Sequence, residues 1–212
     1  MAQEKNISLI ELAETIADNK FILGDRLVEI GISGPDLEAT LSSIAMAQAE
    51  LGHARLIYKW SFELKGLNSS KVDIKHQTGK AFQNGVDISD WISLIAGQYT
   101  INLAVDLVMK AIIEADNTAY NPPFSKLLKE QDEHLTYSRS WCEQLLNEKG
   151  SIPKRFEHQL EKAALEAEQW LTKVEADYLL LSEKIIAENN RLTTKFKNKI
   201  KELTMDEVVS NV

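Results

Sequence analysis

Apolar residues recur every three or four positions along most of this chain, which is the spacing of an α-helix that buries one face. No segment shows the alternation of apolar and polar residues that is typical of a half-buried strand. The pattern therefore predicts six helical segments. They cover residues 8–30, 35–64, 89–116 and 124–148, a fifth helix from 151, and a last stretch that carries Ile185, Leu192, Phe196, Ile200 and Leu203.

Glycine and proline mark the breaks between these segments, for example at Gly31, Pro35 and Gly150. Residues 67–86 are polar and are predicted as a loop with at most one short turn of helix. The first four helices have the lengths of a four-helix bundle. We therefore predict an all-α fold in a single domain, 1–212, with a core bundle at about 8–149 and additional C-terminal helices at about 151–205.

The two C-terminal helices differ in pattern. Phe156 and Trp170 are expected to pack the fifth helix onto the bundle. After Leu171 the density of charged residues rises, which predicts a looser segment or one that contacts another subunit.

Composition narrows the possible functions. A net charge of −8 over 212 residues argues against a nucleic-acid-binding surface. No apolar run reaches the ~20 residues of a membrane span, and the first residues lack a signal-peptide pattern. A single cysteine, Cys142, cannot form an intrachain disulfide. We expect a cytoplasmic protein without membrane contact.

Glu50 and His53 provide the first indication of chemistry. They lie one helical turn apart on a face that also carries Met46 and Ile57. An unpaired buried polar group costs roughly 2–7 kcal/mol, so both side chains need partners. A Glu-x-x-His pair facing the inside of a bundle is half of a typical di-iron or di-manganese site. A hydrogen-bonded core pair without metal is the alternative.

Further polar residues interrupt apolar stripes. Asp106 is the only charge on the stripe of the third helix, and His134 lies with Gln131 on an apolar face of the fourth. Glu29, on a more mixed face of the first helix, is a weaker candidate. Asp106 could instead pair with an arginine. A helical core nevertheless rarely contains three inward carboxylates and two histidines. Such a set of side chains favours a site for iron or manganese.

Three segments then resemble a known family. They are residues 21–29 (Phe-Ile-Leu-Gly-Asp-Arg-Leu-Val-Glu), 49–55 (Ala-Glu-Leu-Gly-His-Ala-Arg) and 129–134 (Lys-Glu-Gln-Asp-Glu-His). In this order they resemble the ferritin-like subunits of phenylacetyl-CoA epoxidase, a multicomponent monooxygenase of phenylacetate breakdown. The resemblance spans roughly residues 8–171 and implies a ferritin-like bundle.

The resemblance also implies a site. The catalytic subunit of that family binds two irons through a Glu, two Glu-x-x-His motifs and an Asp. Carried onto this chain, the pattern implies Glu29, Glu50, His53, Asp106 and His134 as metal ligands. This chain departs from the pattern at Gln131, where the catalytic subunit of the family has Glu. Glu130 is adjacent but points about 100° further round the helix.

Two functions follow as expectations. The first is a di-iron, oxygen-activating component that acts on an aryl-CoA thioester such as phenylacetyl-CoA, together with a reductase and a coupling protein. The second is a non-catalytic structural subunit without metal, whose polar cluster is a relic and which scaffolds a catalytic paralogue. The phrases Leu-Gly-x-Arg-Leu and Leu-Gly-x-Ala-Arg are most similar to the structural subunit. The partner is expected to be a paralogous ferritin-like subunit or a second copy of the chain, and no catalytic residue is predicted beyond the ligands.

Overall fold

The computed structural model describes residues 7–67, 77–117 and 124–205. Within these ranges the regular structure is helical and contains no strand, which confirms the predicted all-α fold. The helices are α1 (Ile7–Glu29), α2 (Leu37–Leu64), α3 (Gln83–Val86), α4 (Trp91–Glu114), α5 (Phe124–Leu146), α6 (Ile152–Ala176), α7 (Tyr178–Ser182) and α8 (Leu192–Met205).

Local sequence explains the starts of the two central helices. The carboxylate of Asp36 accepts a hydrogen bond from the backbone N–H of Ala39, 2.7 Å away, and caps α2. Asp90 and Ser93 form a reciprocal capping box at the start of α4, with distances of 2.8 and 3.1 Å. These caps satisfy N–H groups that have no partner inside the helix.

The helices α1 and α2 pack as a close antiparallel pair. A Cβ atom at Gly24 would lie 2.7 Å from Leu51 Cγ, and one at Gly31 would lie 2.5 Å from Ser43 Cβ. Side chains at these two glycines would force the helices apart, so glycine permits their close approach. The pairing brings the inward face of α1 directly against that of α2.

Helix α4 forms the centre of the fold. It is long and apolar enough to cross a membrane, but 89% of its most apolar window is buried inside the bundle. This degree of burial is the pattern of a core helix. It also means that a polar side chain on α4 must find its partners inside the protein, on α4 itself or on the neighbouring helices.

The C-terminal helices cover the bundle. Phe156 is fully buried on α6, and the ring of Trp170 meets that of Phe82 edge to face with centroids 5.4 Å apart, as predicted. In the described part of the segment after Leu171, the expected looseness is wrong, because α8 buries Leu192 and Phe196 against α6 and α4. The charged residues of α8 occupy the opposite, solvated face. The alternative, contact with another subunit, stays a prediction.

A buried carboxylate attaches the segment before α3 to α1. Asp18 accepts hydrogen bonds from the backbone N–H of Thr78 (2.9 Å), the hydroxyl of Thr78 (2.8 Å) and the backbone N–H of Lys80 (2.6 Å). The hydroxyl of Tyr58 donates a further one. These bonds fix the chain as it enters the second half of the bundle.

Candidate functional site

A polar cluster lies at the centre of the bundle, where four helices each contribute side chains. Its members are fully or almost fully buried. They are Lys20 from α1, Glu50 from α2, Asn102 from α4, and Gln131 and His134 from α5. We call these five residues the central cluster.

Lys20 is the hub of the central cluster. Its ammonium nitrogen lies 2.8 Å from Glu50 Oε2 and donates hydrogen bonds to Asn102 Oδ1, at 2.7 Å, and to Gln131 Oε1. An ammonium has three N–H donors and no acceptor, and three oxygen atoms surround this one. Burial lowers the pKa of Lys20 below its ordinary value, and the charge of Glu50 opposes that shift.

Glu50 is held by further donors at its second oxygen. His134 Nδ1 lies 2.8 Å from Glu50 Oε1, and Asn102 donates to the same atom at 2.9 Å. A carboxylate can only accept, so Nδ1 carries the proton. Burial alone would raise the pKa of Glu50, but Lys20 and His134 together hold it well below its ordinary value. One cation and one anion thus neutralise each other in the core.

The two amides complete the network. The Gln131 side chain donates from Nε2 to the backbone carbonyl of Asn102, at 2.9 Å. Each amide therefore accepts from Lys20 and donates elsewhere. The central cluster is a connected hydrogen-bond network across four helices, and such networks favour one packing arrangement.

His53 lies beside the central cluster but is directed towards the surface. Its ring centroid is 5.8 Å from that of His134, and its Nε2 atom lies 2.6 Å from Glu130 Oε2, which is part-exposed. Burial lowers the pKa of His53 below its ordinary value, and the nearby Lys20 acts in the same direction. Glu130 is thus a partner of His53.

Asp106 is buried as predicted, yet its ion-pair partner is neither an arginine nor a member of the central cluster. Its Oδ2 atom forms an ion pair at 2.8 Å with Lys110, one turn further along α4. Burial raises the pKa of Asp106 above its ordinary value, against the influence of Lys110. On the inward face of α4, it is Asn102 that reaches Glu50.

The prediction that Glu29 faces the interior is wrong. Its side chain is 59% exposed and pairs with Arg26 at 2.6 Å, near the end of α1. The inward position of α1 that meets Glu50 is occupied by Lys20 instead. The helical turn around Glu29 lies too far along α1 to reach the central cluster, since nine residues span about 13 Å.

The donor set does not fit a pair of iron ions. The only carboxylate of the central cluster is Glu50, and an ammonium lies within contact distance of it. Two divalent cations need several carboxylates for charge balance, whereas a fixed positive charge repels them. In the ranges that the structure describes, no group of three or more His, Cys, Asp or Glu side chains is arranged to hold a metal ion.

Lys20 and Asn102 are the site residues that the sequence argument missed. Lys20 follows Ile16 and precedes Leu23 and Leu27 at helical spacing, and all three of these residues are buried. It is a single charge on an apolar stripe, the same signal that selected Asp106. Carboxylates and imidazoles are the usual ligands of iron, so a lysine on an inward stripe does not indicate a metal site.

The fold and this cluster define a ferritin-like helical bundle with polar residues at its centre. A family model described as phenylacetic acid catabolic protein matches residues 1–208. The chain therefore belongs to the phenylacetic acid catabolic protein family, in agreement with the resemblance seen in the sequence. A search of curated proteins gave no match.

Proposed function

We propose that this chain is a metal-free structural subunit in phenylacetate catabolism, which supports a catalytic paralogue acting on an aryl-CoA thioester. The observation that carries this proposal is the ammonium of Lys20 between Glu50, Asn102 and Gln131. A lysine at this point replaces the positive charge of a metal ion with a covalently attached one. The cluster then stabilises the bundle without binding a cofactor.

The central cluster differs from a di-iron site in the charges of its side chains. The central cluster has one carboxylate and one ammonium, so it is already neutral. The other side chains that reach the ammonium are the neutral amides of Asn102 and Gln131. An amide oxygen is a weak ligand without charge, but it is a good acceptor for an ammonium. The two amides therefore surround the ammonium of Lys20 with acceptors and add no charge.

The alternative function is the oxygen-activating di-iron component with its reductase and coupling protein. The retention of Glu50, His53 and His134 close together in the interior supports it. In this role iron would have to displace the Lys20 side chain from the carboxylate of Glu50. The location expected for either role is the cytoplasm.

The first test measures iron directly. The chain, purified after expression with added iron, should contain about 0.1 iron or less per chain after treatment with a chelator. A catalytic paralogue from the same pathway, handled identically, serves as the positive control. One or more chelator-resistant irons per chain would contradict the structural role.

The second test uses the activity of the complex to distinguish a scaffolding subunit from one in which Glu50 is a metal ligand. Glu50→Gln keeps the side-chain shape but removes the anionic ligand, and Glu29→Gln is the matched surface control. A scaffold predicts that complexes of either variant with the paralogue turn over phenylacetyl-CoA within about twofold of the unmodified complex. A loss of about 100-fold for Glu50→Gln in a folded complex would support a metal ligand. Circular dichroism establishes that the variant is folded.

A further inference from the structure

A cleft opens between α2 and α5 beside the central cluster. Its volume is about 450 Å³, which lies within the range of roughly 300–1,000 Å³ that is usual for small-molecule sites. Ala45, Met46 and Ala49 of α2 form an apolar wall. Because the two alanines are small, the facing sides of the helices leave space between them. We call this space the α2–α5 cleft.

His134 connects the cleft with the central cluster. It is only 5% exposed, and its Nδ1 atom donates to Glu50 Oε1 at 2.8 Å. In the neutral ring the other nitrogen, Nε2, is therefore an acceptor. No described residue donates a hydrogen bond to Nε2, and His134 lines the cleft. A ligand that donates to this atom would give a nearly buried imidazole its missing partner.

The cleft also contains negative charge. The carboxylates of Glu130 and Glu133 line it on the side of α5. Glu130 pairs with His53, but burial lowers the pKa of His53, so this partner is neutral at about pH 8 and leaves the charge of Glu130 in place. The remaining polar groups of the lining are the hydroxyls of Ser42 and Tyr137, which can donate or accept.

No described lysine or arginine lines the cleft. Lys129 precedes Glu133 by one helical turn, but it is exposed and is not part of the lining. Lys20 is buried in the central cluster, where the carboxylate of Glu50 balances its charge. The cleft therefore combines two carboxylates and an imidazole acceptor without a cation of its own.

We propose that the α2–α5 cleft binds a free primary amine in its protonated form, with an apolar body. An ammonium group supplies a positive charge and three N–H donors. It would donate to His134 Nε2 and pair with Glu133, while the apolar body lies against Ala45, Met46 and Ala49. A metal ion fits less well, because the described residues contain no group of three or more His, Cys, Asp or Glu side chains arranged to hold one.

Benzylammonium is the probe, and two analogues are its controls. Benzyltrimethylammonium keeps the charge but has no N–H donor, whereas benzyl alcohol keeps a donor but is neutral. In ligand-observed NMR titrations at about pH 8, benzylammonium should bind at least about tenfold more tightly than either analogue. The full chain is first treated with a chelator, so the result is separate from the iron measurement and does not depend on the scaffolding role.

Three variants locate the site. His134→Asn keeps an N–H donor for Glu50 but removes Nε2, and it should weaken binding at least about tenfold. Glu133→Gln removes one carboxylate at an exposed position and should weaken binding about fivefold. Glu143→Gln, on α5 outside the cleft, is the matched control and should leave the affinity within about twofold. In ¹⁵N-labelled protein, the Nε2 resonance of His134 should move when benzylammonium is added.

Several results would overturn the proposal. They are a titration that does not saturate by about 20 mM benzylammonium, and an equal affinity for benzyl alcohol. N-acetyl-lysine amide represents a lysine side chain of another polypeptide, and tighter binding of this probe than of benzylammonium would exclude a free amine as the ligand. Binding that is unaffected by Glu133→Gln would place the amine outside the cleft, even if His134→Asn does not fold.

Discussion

Replacing Lys20 by methionine removes the cation of the central cluster while keeping much of its length and apolar stem. Glu50 then remains buried with hydrogen bonds from Asn102 and His134 alone. Removing one partner of a buried ion pair costs about 3–5 kcal/mol, because the other charge stays uncompensated. The amide oxygens of Asn102 and Gln131 also lose a donor, although amide rotation limits this cost.

The expected loss in free energy of unfolding for Lys20→Met is therefore about 3–5 kcal/mol at neutral pH. In a chain of this size, 1 kcal/mol corresponds to a shift of about 2–4 °C in the thermal midpoint. We expect a fall of roughly 6–20 °C by calorimetry, which is the product of these two ranges. The double variant Lys20→Met/Glu50→Leu removes both charges and should recover much of the loss, since apolar residues replace buried ion pairs at little cost.

The pH dependence gives an independent check with a defined sign. In the unmodified chain the pKa of Glu50 is lowered on folding, so its contribution is present above the ordinary carboxyl pKa and is lost as pH falls through the folded value. In Lys20→Met the main lowering influence is gone, and burial raises the pKa of Glu50 instead. Its penalty is then greatest at neutral pH and is relieved as pH falls and the carboxyl takes up a proton.

The two proteins should therefore converge in stability between neutral and acidic pH. Urea unfolding at several pH values measures this directly. A Lys20→Met variant that loses less than about 1 kcal/mol, with an unchanged pH profile, would refute the assignment of Lys20 as the charge partner of Glu50.

Two more variants test the remaining contacts. Gln131→Glu places a second carboxylate beside Lys20. We expect its thermal midpoint to be lower at pH 8 and to recover in part at pH 5, with no gain of iron. A gain of chelator-resistant iron would favour a metal site instead. Asp18→Asn weakens the acceptor for the backbone N–H of Lys80 and should cost about 1–3 kcal/mol in urea unfolding. Asp25→Asn, at a half-exposed side chain, is its control and should change stability by less than about 0.5 kcal/mol; equal effects would disprove the role of Asp18.

Much of the fold follows from local sequence. Proline ends a helix for steric reasons, and glycine ends one because it adopts a left-handed backbone, as at Gly66 and Gly150. The apolar period decides which face of a helix turns inwards.

The apolar period correctly predicts that Glu50, Asp106 and His134 are buried. Residues three and four positions apart share a helix face, so the sequence alone shows which residues face inwards. The same period gives a wrong prediction for Glu29, which lies on a mixed face at the end of α1. There the carboxylate pairs with Arg26 and stays in contact with water.

Only the tertiary structure determines which contacts the inward residues make. The sequence places Lys20 on one helix and Glu50 on another, 30 positions apart, and helical periodicity contains no information on their separation in space. Packing of α1 against α2 brings the two charges to 2.8 Å, and packing of α4 and α5 adds the amides that complete the network. An apolar stripe can indicate that a lysine faces inwards, but it does not give the distance to a counter-charge, which decides whether burial is tolerated.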